Sequence, residues 1–130
     1  MDIITTNGCF DVLHYGHLRM LEIASQYGDL IVGINSDAYI RKHKKREPIH
    51  NEEQRRYNLS RIKGVIYVEV FREDTPEQFL RRHNPNYHFK SRNGYKGIEA
   101  DILKEWGGKL ILIDDIKGFS TTNILKHGEK

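Results

Sequence analysis

Near the N-terminus, Asp2-Ile3-Ile4-Thr5-Thr6 is short, β-branched and apolar, and Asn7-Gly8 bounds it, which predicts a buried strand. Leu18, Leu21 and Ala24 then recur at spacings of three, predicting a helix that runs to Tyr27 before Gly28 stops it. A single turn joins the two elements. It contains Gly8, Asp11, Gly16 and two histidines, His14 and His17, separated by Tyr15-Gly16.

The turn has the chemistry of a polyphosphate site. Glycines at Gly8 and Gly16 allow close approach of the backbone to a ligand. A helix that begins near Gly16 offers unpaired N–H groups and the positive end of its dipole to an anion. Histidines three residues apart lie on the same side of a helical turn, so His14 and His17 can donate to one group. The competing reading is a plain βα turn with a capping histidine. Against it, the turn falls at the C-terminal end of the first strand, where doubly wound sheets bind ligands.

The rest of the chain repeats the alternation. Strands are predicted at Asp29–Ile34, Val65–Val70, Tyr87–Lys90 and Lys109–Ile113. Between them, Asn35-Ser36-Asp37 opens a short helix, and His50-Asn51-Glu52-Glu53 opens another that runs through Arg61, with Tyr57, Leu59 and Ile62 available for packing. Asp74-Thr75-Pro76 starts a third, Ile98 to Trp106 forms a fourth that Gly107-Gly108 ends, and Ser120-Thr121-Thr122 caps a last one. The pattern predicts an α/β fold: a Rossmann-like, doubly wound, five-stranded parallel sheet with helices on both faces, and a single domain over residues 1–130. The first turn, the basic run Arg41–Arg46, the residues after Lys90 and the Ser120 turn would then all gather at the carboxyl ends of the strands.

Composition narrows the class. The 130 residues are 38% hydrophobic and 30% charged, ordinary for a polar globule able to bury a core. No apolar run reaches the roughly 20 residues that span a bilayer, and no leader pattern precedes the first strand, so the expectation is a cytoplasmic protein with no membrane partner. One cysteine, Cys9, precludes an internal disulfide. A net charge of +3 suits anionic small molecules or nucleic acid. Arg41-Lys42-His43-Lys44-Lys45-Arg46 has no interleaved aromatic residues for base stacking, which argues against nucleic acid as a partner.

Gly8-x-Phe10-Asp11-x-Leu13-His14-x-Gly16-His17 resembles the signature of the cytidylyltransferase-like nucleotidyltransferases. Gly118-Phe119-Ser120-Thr121-Thr122-Asn123-Ile124 is similar to that family's second signature. The likeness covers almost the whole chain and is strongest to the adenylyltransferase domain of bifunctional heptose kinase/adenylyltransferases. Thr6-Asn7-Gly8, Asn35-Ser36-Asp37-Ala38, Pro48 to Arg55, Glu73-Asp74-Thr75-Pro76, Lys90 and Gly107-Gly108 carry it. Glycerol-phosphate cytidylyltransferases share the two signatures but differ more between them.

The resemblance implies transfer of a nucleotidyl group, AMP from ATP, to a sugar phosphate such as heptose 1-phosphate, with release of pyrophosphate. Two alternatives stay open: a CTP-dependent cytidylyltransferase acting on glycerol 3-phosphate or a similar alcohol, and a nucleotide-binding module without catalysis. The catalytic residues it implies are His14, His17 and Lys44. Asn7, Gly8, Cys9, Phe10, Asp11, Gly16, Lys90, Ser120, Thr121 and Thr122 would bind the nucleotide, and Arg55 and Arg92 the acceptor. Cys9 has a neutral packing role in this reading. Asp11 either orients a histidine, contacts the metal indirectly or makes a buried structural hydrogen bond. For Arg55 the alternative is a surface ion pair with Glu52, and Lys42, Lys45 and Arg46 are read as solvated. Mg²⁺ is the implied cofactor, carried by the phosphates with no direct protein ligand, and a homodimer is implied as well. The chain departs from the heptose pattern at Lys90-Ser91-Arg92-Asn93-Gly94-Tyr95, where that family has Lys-Gly-Gly-Asp-Tyr. No stretch corresponds to a kinase half, so a phosphorylated acceptor is expected from another enzyme.

Overall fold

A computed structural model describes residues 1–92, 95 and 97–114. Five strands, β1 (Ile3–Gly8), β2 (Asp29–Asn35), β3 (Val65–Phe71), β4 (Tyr87–Ser91) and β5 (Lys109–Ile113), form one parallel sheet in the order β3-β2-β1-β4-β5. The connecting helices are α1 (Tyr15–Ser25), α2 (Asp37–Lys44), α3 (Glu52–Ser60), α4 (Glu77–His83) and α5 (Ile98–Leu103). This is the expected doubly wound arrangement.

Helices cover both faces of the parallel sheet, so alternate residues of a strand are buried on opposite sides of it. On one face Ile4, Leu30, Val32, Ile34, Val68 and Phe89 pack with Leu21 and Ala24 of α1 and Leu59 of α3. On the other, Ile31, Phe71 and Ile3 pack with Phe79 of α4, and Leu80, Ile102 and Leu103 join α4 to α5. Gly33 marks where this second face is tightest, since a Cβ there would lie 2.8 Å from the Phe79 ring. The strand order is built outward from β1. The chain winds one way through β2 and β3, then crosses back so that β4 and β5 extend the other side. The winding therefore reverses between β1 and β4, and in such sheets the crevice at the carboxyl ends of the two reversing strands is where ligands bind.

The local signals are realised with adjustments. Ser36 caps α2 by accepting from Tyr39 N–H, and Asn51 and Gln54 form a reciprocal capping box on α3. The helix predicted from Ile98 to Trp106 is α-helical only to Leu103. Its last turn tightens to 3₁₀ over Lys104–Trp106, and Gly107 leaves it with φ +77°. Two packing expectations are corrected. Leu18, in the predicted apolar stripe of α1, is 45% exposed, because the helix packs on the sheet through buried Leu21 and Ala24 with Met20 and Ile23 beside them. Tyr57 is 56% exposed and lies under the Arg61 guanidinium instead of in the core. The predicted last helix, capped by Ser120-Thr121-Thr122, lies outside the described residues.

Candidate functional site

β1 delivers Asn7 and Gly8 to the reversal point, and the chain then turns through Cys9, Phe10 and Asp11. Phe10 is buried at φ +49°, a conformation that costs a non-glycine residue about 1 kcal/mol or more. It folds its ring back over Gly8, where a Cβ would sit 3.2 Å from the ring. Gly8 therefore accommodates a neighbouring side chain, a constraint additional to ligand approach.

The turn ends at His14, which caps α1, and its Nδ1 accepts from the backbone N–H of His17 at 3.3 Å. The helix thus begins at Tyr15, one residue before Gly16. With Nδ1 accepting, the neutral His14 ring carries its proton on Nε2. The His14 and His17 rings stack with centroids 3.7 Å apart and planes 19° from parallel, and Phe10 packs against His17 at 4.9 Å. The capping reading and the ligand reading are compatible, since the cap uses one nitrogen of His14 and sets the pair side by side at the amino end of α1.

Asp11 is 1% exposed and anchors a second segment. Its Oδ2 accepts from Arg46 Nη1 at 2.6 Å and from Ile49 N–H at 3.0 Å, and its Oδ1 accepts from His50 N–H at 2.9 Å. Burial pushes the carboxyl up, but the bonds from His50, Arg46 and Ile49 outweigh it and hold the pKa below its ordinary value. Both oxygens are engaged, so of the roles read for Asp11 the buried structural one is what the geometry displays. Arg46, expected to be solvated, is instead Asp11's ion-pair partner.

Arg55 is likewise absorbed by the protein. Only 1% exposed, it donates from Nε to His50 O (3.0 Å), from Nη1 to Cys9 O (2.9 Å) and Asn35 O (2.6 Å), and from Nη2 to Asp37 (2.7 Å). The surface pair with Glu52 does not form, since Glu52 accepts from Arg72 and from Asp37 N–H. Arg55 ties the ends of β1 and β2 to the start of α3. Its placement is that of a structural clamp, and the sequence shows only that an arginine stands on the helix.

Cationic groups line the rest of the edge. Lys90 is 9% exposed on β4 and donates to Asn7 O at 2.9 Å, bridging the two strands where the winding reverses. Lys44, exposed at the end of α2, is near enough to the Cys9 thiol to affect it electrostatically. Burial raises the Cys9 pKa, while Lys44, Arg55 and Lys90 lower it in part. A raised pKa suits a packing role for Cys9, whose Sγ lies 3.6 Å from Asn35 Oδ1. Arg92 is exposed and pairs with Asp114 beyond β5 at 2.7 Å. In the basic run, Arg41 pairs with Glu47, and Lys42 and His43 with Asp74. Its charge is thereby partly neutralised within the protein. Among the described residues, no group of three or more His, Cys, Asp or Glu is placed to hold a metal ion. No helix among them is long and apolar enough to cross a membrane.

The structure thus gathers Asn7, Gly8, Cys9, Phe10, Asp11, His14, Gly16 and His17 on one turn, with Lys44 and Lys90 from neighbouring elements. Ser120, Thr121 and Thr122 lie outside the described residues. Sequence reasoning missed His88, fully buried between Thr5 and Asn7. The signal was present: His88 precedes Lys90 by two, which places both on one face of β4.

Among known proteins, residues 5–126 match the cytidylyltransferase-like family. The chain is 43% identical over 129 residues to the bifunctional protein HldE of a Nitratiruptor species, covering 95% of this chain and 27% of that protein. It is 39% identical over 126 residues to the bifunctional protein HldE of Aliarcobacter butzleri, covering 95% and 26%. The chain spans about a quarter of the length of these curated relatives. Among solved structures, the lipopolysaccharide core biosynthesis protein from Thermoplasma volcanium GSS1 shares the fold, with a TM-score of 0.77 at 23% identity, over 90% of this chain and 99% of that one.

Proposed function

The chain belongs to the cytidylyltransferase-like family, and from that premise we propose that it is a nucleotidyltransferase that moves AMP from ATP to a sugar phosphate such as heptose 1-phosphate. A phosphate oxygen of the acceptor forms a bond to the α-phosphorus. The bond from that phosphorus to the bridging oxygen breaks, and pyrophosphate leaves with the electron pair. The acceptor phosphate is already ionised, so no general base is required. The demand on the protein is to position two anions and stabilise charge.

The observation that carries this reading is the stacked imidazole pair at the amino end of α1, on the turn that leaves β1, with Lys90 bonded to the Asn7 main-chain oxygen at the end of that same strand. His14 Nε2–H and the His17 ring are suited to donate to the α- and β-phosphates. Lys44, on a flexible exposed stem, is suited to follow the charge as pyrophosphate departs. Ser120 and Thr121 belong to the same proposal as holders of the outgoing phosphates, through the likeness of their segment to the second signature. Mg²⁺ would be held by the phosphates, since Asp11 is committed within the protein, and when bound it neutralises part of their charge. The choice of ATP and of a sugar phosphate rests on the likeness to heptose adenylyltransferase domains and to the HldE relatives.

The test is pyrophosphate release with each of the four NTPs against heptose 1-phosphate and glycerol 3-phosphate. Turnover with ATP and the sugar phosphate is expected, lost in His17→Ala with the fold retained. CTP-only turnover would transfer the assignment to the cytidylyl alternative, and nucleotide binding without turnover to the non-catalytic one.

A further inference from the structure

Where β1 meets β4, at the reversal of the winding, the face of the sheet under α4 and α5 contains a buried polar chain. Thr5 and His88 are both 0% exposed, with Thr5 Oγ1 2.7 Å from His88 Nδ1. The other ring nitrogen, His88 Nε2, lies 3.0 Å from Asn7 Oδ1. Lys90 then donates to the main-chain oxygen of Asn7. A carbonyl oxygen can only accept, so Nε2 must carry the ring proton. Nδ1 is then an acceptor, and the Thr5 hydroxyl is the donor that satisfies it. One tautomer and one hydroxyl rotamer complete the chain from Thr5 through His88 to Asn7.

The consequence falls on Asn7. Both of its acceptors, the side-chain oxygen and the main-chain oxygen, are taken by donors from β4. Its Nδ2–H₂ has no acceptor among the described residues, and Asn7 stands at the end of β1 beside the turn that carries His14 and His17. An amide left to rotate would offer a ligand its oxygen as readily as its nitrogen, and an oxygen repels an anion.

We propose that His88 is a positioning residue: it fixes the Asn7 side-chain amide so that only N–H donors face an anionic phosphate oxygen of the bound nucleotide. The proposal rests on the nucleotidyltransferase reading and adds to it a residue that touches no substrate. Burial keeps the His88 ring neutral, which sustains the tautomer across the working pH range.

The experiment has two parts. Long-range ¹H–¹⁵N correlation spectra of the wild-type protein should show His88 as the Nε2–H tautomer between pH 6 and 9; the Nδ1–H tautomer would overturn the proposal. Calorimetric titration with ATP and CTP, each with Mg²⁺, should then show His88→Leu binding about tenfold more weakly, the scale of one misdirected hydrogen bond. His88→Gln should regain most of the affinity, because a carboxamide can accept from Thr5 and donate to Asn7. Asn7→Asp, which turns an oxygen toward the phosphate, should bind at least as weakly as His88→Leu. If His88→Leu fails to fold, the tautomer and Asn7→Asp decide. Wild-type affinity in a folded His88→Leu refutes the positioning role alone, whereas a wild-type protein that binds neither nucleotide refutes the function it serves.

Discussion

Replacing Asp11 isolates what holds the mouth of the site together. Its carboxylate accepts from Arg46, Ile49 N–H and His50 N–H, so it pins the segment that follows α2 to the turn that follows β1. In Asp11→Ala both backbone donors lose their acceptor, at about 1–3 kcal/mol each, toward the low end because a loop can admit water. Arg46 is 29% exposed and can be hydrated, so its loss adds at most about 1 kcal/mol. The sum is about 3 kcal/mol. With a urea m-value near 1.5 kcal/mol/M, this lowers the midpoint by about 2 M. Asp11→Asn keeps one accepting oxygen and should lose about half as much. The effect has a pH signature. The folded pKa lies below the unfolded one, so the stabilisation is complete above the ordinary carboxylate range and disappears as pH falls through the lower folded value. Hydrogen exchange at the Ile49 and His50 amides should accelerate in step. A midpoint within about 0.5 M of wild type, or unchanged exchange at those amides, would refute this account. Lost turnover at unchanged stability would instead give Asp11 a direct part in the chemistry.

Two further outcomes follow from buried groups. Arg55→Ala removes a guanidinium with four protein acceptors and should cost about 3–5 kcal/mol in urea denaturation; lost activity at full stability would show that it contacts the acceptor. His88 is pushed to about 3 by burial and by the nearby Lys90 charge, while the unfolded histidine titrates near 6.5. Between those values the unfolded chain binds the extra proton, so stability should fall by about 1.4 kcal/mol per pH unit on acidification. His88→Gln should remove that slope, and an unchanged slope would contradict the neutral buried ring.

Where a signal was local, the sequence carried it. β5 occupies the predicted Lys109–Ile113, and the His-x-Gly-His turn lies at the end of β1, because β-branched runs and glycine-bounded turns act through neighbouring residues. Three kinds of information were not local. The strand order depends on which side of β1 the chain returns to after α4. The commitments of Asp11 and Arg55 depend on carbonyls and amides 35 or more residues away in some cases, and motif spacing does not reveal whether a charged side chain is already used by the protein. The role of His88 required knowing that Thr5 and Asn7 share its side of the sheet. Leu18 shows the converse: the helical period holds, but the packed face of α1 runs through Met20, Leu21, Ile23 and Ala24 and leaves Leu18 outside it.

The central placement of β1 has a mechanical consequence. It is paired along both edges, so the signature turn hangs from the strand that fraying from either margin reaches last. Lys44 and Arg92, by contrast, stand on outer, exposed segments. For the proposed nucleotidyl transfer, this arrangement would keep the imidazole pair on a stiff floor while acceptors of different bulk met the exposed side chains around it.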